Sequence, residues 1–150
     1  MSDFLNSQAA EDLWNAGYVI TPPSTKVINP SSVYKAIHAY KNKKQEHFLL
    51  LSLDIKGNLK KLDLIFKGSV GGVAVSPREV FITALKREAV SVIVAHNHPS
   101  GDLSPSPEDI DATKELIKAG KLLHIGVQDH VIFSKTGWAS LRETRPWLWE

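Results

Sequence analysis

Three side chains stand out for what they could do together: His96, His98 and Asp109. The two histidines are separated by Asn97 alone and follow the run Ala89–Ala95, which is apolar except for Ser91. In an extended chain residues i and i+2 point the same way, so both imidazoles can converge on one ion. Asp109 follows His98 after ten residues, a loop long enough to bring a carboxylate back to the pair. Two neutral imidazoles and one carboxylate leave a tetrahedral zinc one open position, the arrangement that ionises a water near pH ~7. A second reading stays open beside this one. Ser106-Pro107-Glu108-Asp109 is also a helix start, with Ser106 as N-cap, Pro107 at N1 and an acidic residue at N3. Asp109 can cap, ligate or do both, and Ser106 can both cap and face the site.

The elements that must position these residues follow from periodicity. Ala89–Ala95 reads as a central strand covered on both faces and ending at His96. Ligand sites favour the carboxyl ends of such strands. After the loop Asn97–Pro105, a helix is expected from Ser106 to about Ala119, stopped by Gly120. Upstream, Ser31 or Ser32 can cap a helix through about Asn42, with Val33, Ala36, Ile37 and Tyr40 on one face. Glu46–Asp54 reads as a buried strand, and Lys56-Gly57-Asn58 as a hairpin turn. In Leu59–Lys67, Leu62, Leu64 and Phe66 alternate with Lys61, Asp63, Ile65 and Lys67, the pattern of a half-buried strand. Glycines at 68, 71 and 72 precede a short strand at Val73–Val75. Ser76-Pro77 opens a helix to about Glu88 with Val80, Phe81, Ala84 and Leu85 inward. Strands near Leu122–Gln128 and His130–Ser134 and an ending at Trp138–Arg142 complete an α/β domain, a mixed sheet flanked by helices. A short helix is expected near Ala9–Ala16.

Composition removes several function classes. With 150 residues the chain has the size of one domain, and 43% hydrophobic with 23% charged residues is ordinary for a globular protein. The division expected is an extension over 1–30, a domain over 31–145 and a tail over 146–150. There is no cysteine, which excludes disulfides, a thiolate nucleophile and thiolate metal sites, and makes a cytoplasmic location the expectation. The N-terminal residues MSDFLNSQAAEDLW have neither a basic start nor an apolar core, so secretion is not expected. No apolar run approaches the roughly 18 residues of a spanning helix, so no membrane partner is expected. A formal charge of +2 is too small to imply nucleic acid, and Lys41, Lys43 and Lys44 read as a solvated helix end. His130, after Asp129, reads as a paired core histidine or one supporting a ligand. His38, His47 and His124 lack ligand spacing, and Asp102 reads as a turn residue or a site contact. Trp147 and Trp149 in the tail need cover, from their own domain or from a second copy or other partner.

The string His96-x-His98-Pro99, then six residues, then Ser106-x-x-Asp109 resembles the metalloprotease signature of JAMM (MPN/JAB) domains. The wider string HNHPSGDLSPSPEDI, with PREVF upstream and DH and SLRE downstream, is similar to one branch, the RadC-like JAB domain, from about Glu46 to Glu143. The resemblance implies a fold related to the cytidine-deaminase architecture and a zinc held by His96, His98 and Asp109. It implies a glutamate that orients the zinc water and shuttles protons, and a serine, here Ser106, that stabilises the oxyanion. Glu46 lies 50 residues before His96, near where JAMM enzymes place that glutamate, and Glu79 in PREVF is the rival. The function expected is a zinc hydrolase cutting a peptide or isopeptide amide in a peptide or protein substrate. Two alternatives are a DNA-repair-associated or DNA-processing protein and a metal-bearing module without catalysis. RadC-like proteins often carry a DNA-associated helix-hairpin-helix region, for which residues 1–45 are too short and lack a GxG-type hairpin. A zinc deaminase would need cysteines that this chain lacks.

Overall fold

Ser91–Asn97 is buried at every position, as its apolar stretch Val92–Ala95 requires when a strand is covered on both faces. This strand, β3, is the middle of a five-stranded sheet described here from a computed structural model of residues 29–68 and 75–150. The helix expected near Ala9–Ala16 lies outside the described residues. So does the strand expected at Val73–Val75, except for Val75, which is not in a strand.

The sheet order is β2-β1-β3-β4-β5, with β1 at Glu46–Leu53, β2 at Leu59–Gly68, β4 at Gly126–Ser134 and β5 at Gly137–Ser140. β3 runs antiparallel to β1 and parallel to β4, so the sheet is mixed as expected. Parallel neighbours need a crossover. It is supplied by a helix over Pro107–Leu123, which follows helices at Pro30–Ala36 (α1) and Pro77–Lys86 (α2) and is α3. Side chains alternate between the two faces of the sheet. Phe48, Leu50, Val92, Val94 and Ile132 pack under Val80, Phe81 and Ala84 of α2 and Leu116 and Ile117 of α3. Leu49, Leu51, Ile93, Ala95, Val131 and Phe133 pack under Val33, Ile37 and Tyr40. Each fully buried Val, Leu, Ile or Phe among them contributes roughly 1.5–3 kcal/mol by leaving water.

Several boundaries differ from the sequence reading for local reasons. Helix α1 is capped by Asn29, whose side chain accepts from Ser32 N–H while the Ser32 hydroxyl accepts from Asn29 N–H. With Pro30 at N1, the helix starts before Ser31 and ends at Ala36, and a 3-10 turn follows at His38–Tyr40. In β2 the register slips between Phe48–Phe66 and Leu49–Leu64, so Ile65 is an extra residue. The bulge lays Ile65 and Phe66 against the α2 face, leaves Leu64 at the margin of exposure and buries Asp63 in a two-pronged ion pair with Arg87. Leu85 is exposed rather than inward.

Gly120 does not stop α3. The helix continues to Leu123 and is capped by His124 at φ +57. A Cβ on Gly120 would lie 2.5 Å from the Ile125 carbonyl, so the glycine lets the returning chain pass close to the helix. β4 is one continuous strand rather than two. After β5 come a short helix, α4, at Leu141–Thr144 and a 3-10 turn at Pro146–Trp149. The tail divides: Leu148 is buried and Trp149 donates its indole N–H to the Val127 carbonyl at 2.7 Å, while Trp147 is exposed. Among the described residues no helix is long and apolar enough to cross a membrane.

Candidate metal centre

The end of β3 sends alternate residues to opposite faces. His96 turns toward the α2–α3 face, where its ring stacks on Phe48 with centroids 6.0 Å apart. The strand pairing continues one step further, as His98 N–H donates to the Phe133 carbonyl. The Nε2 atoms of His96 and His98 end 2.8 Å apart. Asp109, at N3 of α3, settles the choice between cap and site contact by doing both. Its N–H donates to Ser106 Oγ at 3.0 Å, and its Oδ2 accepts from Ser106 N–H at 2.8 Å. At the same time Oδ1 lies 3.2 Å from His96 Nε2, and Oδ2 lies 3.2 Å from His98 Nε2. The capping box therefore aims the carboxylate that meets the two imidazoles.

Glu46 is the first residue of β1, two positions before Phe48, which pairs with His96 across the antiparallel ladder. That register places Glu46 level with residue 98. Its carboxylate joins the ring nitrogens of His96 and His98 in a group whose atoms all lie within 4.8 Å of one another. Glu79 is elsewhere, exposed in the first turn of α2. Of the two rival glutamates, the fold brings Glu46 to the histidines and leaves Glu79 out of the group.

Burial alone would push the His98 imidazole down, but Asp109, the Asp102 carbonyl and Glu46 together raise it above the ordinary histidine value. Burial likewise works against the Asp109 carboxylate, and the two histidines and the Ser106 N–H hold it far below the usual carboxylate range. His98 Nδ1 lies 2.6 Å from the Asp102 carbonyl, which can only accept, so Nδ1 carries a proton and a neutral His98 presents its lone pair at Nε2. Asp102 thus serves as both readings of it required. Its side chain makes a turn with Ser104 N–H, and its carbonyl touches the site.

The ring nitrogens and the carboxylate thus converge on one point. The donor set of two imidazoles and a carboxylate fits a borderline metal such as zinc, with a second carboxylate at hand.

His130 is fully buried, with its Nε2 2.7 Å from His96 Nδ1 and its Nδ1 2.6 Å from Thr113 Oγ1. Burial, with the His96 ring next to it, keeps the His130 imidazole well below the usual histidine value, hence neutral. His47 is buried beside the Gln45 carbonyl, and His38 and His124 occupy turn and cap positions away from the group.

Two residues near the site escaped the sequence reading. Thr113 is one; its signal is the spacing of four from Asp109, which puts both on one face of α3. Asn97 is the other. Buried on the far face, it accepts from His47 N–H at 2.6 Å and donates to the Lys43 and Gln45 carbonyls, pinning the chain on either side of Glu46 to the end of β3. A polar residue between two ligand-type histidines is the signal it left.

The profile of the RadC-like JAB domain matches residues 27–146. A UPF0758 protein of Methanosarcina barkeri is 42% identical over 125 residues, covering 83% of this chain and 55% of the relative. One from Staphylococcus haemolyticus is 42% identical over 119 residues, 79% of this chain and 52% of the relative. One from Shouchella clausii is 50% identical over 99 residues, 66% of this chain and 43% of the relative. The chain spans about half the length of the curated relatives it matches. On the extent of these matches, the chain belongs to the RadC-like JAB domain family.

Proposed function

We propose that this chain is a zinc-dependent hydrolase of the JAMM type, a metallopeptidase that opens a peptide or isopeptide amide. The observation that carries the reading is the meeting of His96 Nε2, His98 Nε2 and the Asp109 carboxylate, with the Glu46 carboxylate beside them. His96, His98 and Asp109 would hold the ion. Bound there, zinc would polarise the scissile carbonyl and bring a water toward ionisation near neutral pH.

The remaining work belongs to the chain's own side chains. Glu46 takes up a proton as the nucleophile forms and returns it to the departing amine, a task for which hydrogen-bond reach comes first. Ser106 Oγ already accepts from Asp109 N–H, so its own hydroxyl proton remains for the developing oxyanion. Asn97 keeps Glu46 level with the histidines. The same reading takes a peptide or protein as substrate, and a chain without cysteine suits a cytoplasmic setting.

The test is cleavage of a peptide library and of isopeptide-linked conjugates by the full zinc-loaded chain, followed by mass spectrometry, with a DNA substrate in parallel. Amide cleavage that is lost in Glu46→Gln and kept in Glu79→Gln is the expected result. Cleavage of DNA without any amide cleavage, or full amide cleavage by Glu46→Gln, overturns the reading.

A further inference from the structure

We propose that Thr113 and His130 are positioning residues that set the tautomer of His96, so that its Nε2 lone pair faces the centre. The inference rests on the metal-binding reading above and deepens it, and proton accounting along one buried chain of contacts carries it. Thr113 Oγ1 lies 2.7 Å from the Asp109 backbone carbonyl. A carbonyl only accepts, so the single hydroxyl proton of Thr113 goes there. Thr113 Oγ1 is therefore the acceptor in its 2.6 Å contact with His130 Nδ1, and that nitrogen bears the proton. His130 and Thr113 are both fully buried, and burial of that kind keeps an imidazole neutral. With Nδ1 protonated, His130 Nε2 has only a lone pair to offer. His96 Nδ1, 2.7 Å away, must then be the donor, and His96 Nε2 is left unprotonated.

The chain of donors starts at one side-chain ligand's ring, His96, and ends at another's backbone carbonyl, that of Asp109. Asp109 lies on α3, His130 on β4 and His96 on β3, so the relay ties together the three elements that bound the site. Orientation of a ligating imidazole through its second nitrogen is a general device, and its loss typically costs about 10–100-fold in metal affinity. Here the orienting group is a second buried histidine in place of a carboxylate, which leaves the centre without an added negative charge.

The test uses the full chain as wild type, Thr113→Val, Thr113→Ser and His130→Gln. Nitrogen chemical shifts of the imidazoles, read in the metal-free protein at pH about 8, report which ring atom holds the proton, and chelator competition reports zinc affinity. In the wild type His96 and His130 are expected to be protonated at Nδ1. Thr113→Val removes the acceptor for His130 Nδ1–H, so the relay reverses in part, His96 acquires Nε2–H, and zinc affinity falls about 10–100-fold. Thr113→Ser restores the hydroxyl, and both readouts should return. His130→Gln, which places an amide oxygen near the former Nε2, should keep His96 protonated at Nδ1. Protonation of wild-type His96 at Nε2, or a Thr113→Val chain with an unchanged His96 pattern, overturns the relay. Failure of wild type to bind zinc would instead overturn the metal reading, and the nitrogen shifts would still decide the relay.

Discussion

Two carboxylates of this chain, Asp129 buried and Asp109 half-buried, sit in opposite circumstances. Asp129, on β4, accepts from His130 N–H at 2.7 Å, from Arg142 N–H at 3.1 Å and from the Ser140 hydroxyl at 2.6 Å. Each of these neighbours brings a hydrogen, and the carboxylate is consumed in joining β4, β5 and α4. Asp109 accepts one backbone N–H, from Ser106, and otherwise faces two imidazole nitrogens whose own second nitrogens are engaged elsewhere. A carboxylate surrounded by donors is a structural joint. One set beside two imidazole nitrogens belongs to a donor set that a cation such as zinc would fit.

The comparison breaks most visibly if the wrong carboxylate matters for metal. Asp109→Asn keeps an oxygen for the Ser106 N–H but removes the charge. It should lower zinc affinity by more than the roughly 10–100-fold that supporting residues cost, as measured by chelator competition. Zinc binding at wild-type strength would show that Asp109 is only a cap. Glu46→Gln comes next, with kcat/KM on a cleaved peptide falling about 10²–10⁴-fold while zinc content stays near one per chain. Loss of the zinc itself would make Glu46 a ligand rather than a proton carrier.

Asp129→Ala should act on stability alone. It leaves the His130 N–H, the Ser140 hydroxyl and the Arg142 N–H without their acceptor and costs about 3 kcal/mol in urea unfolding, with zinc affinity unchanged. A zinc deficit in the folded variant would erase the distinction between the two carboxylates.

The smallest effect is a pH dependence. Burial pushes the Asp129 carboxyl above its ordinary value, with Ser140, Arg142 and His130 pulling it back in part. A raised folded pKa means that the folded chain holds this proton more tightly than the unfolded chain. The stabilisation is therefore full below about pH 3.9 and is lost as pH rises through the folded value. The unfolding free energy of wild type should fall relative to that of Asp129→Asn as pH rises above about 3.9. A change in the opposite direction would mean that the three hydrogen bonds outweigh burial.

How far the sequence revealed this site depended on how local each cause was. His96 and His98 were legible because strand geometry alone places i and i+2 together, and Ser106-Pro107 because a helix start is written within four residues. Spacing alone did not show which of Glu46 and Glu79 lies near the histidines, since that depends on the antiparallel register that sets Phe48 against His96. Thr113 and His130 are 17 residues apart and meet only after α3 folds onto β4. The mixed sheet and its two apolar faces followed from periodicity. The bulge at Ile65 and the burial of Asp63 did not, because they depend on Arg87 arriving from the end of α2. Gly120 was misread for a similar reason: its small size serves the passing Ile125 carbonyl, a neighbour that helix-stop rules ignore.

The central claim is that two imidazoles and a carboxylate at the end of β3 hold one cation. Zinc titration of the full metal-stripped chain, followed by heat and by metal analysis of the washed protein, tests it most directly. One zinc per chain and a higher Tm with zinc are expected for wild type, and neither for His98→Ala. A wild-type chain that retains no stoichiometric zinc at neutral pH, or a His98→Ala chain that retains it fully, would rule out a cation held by these residues.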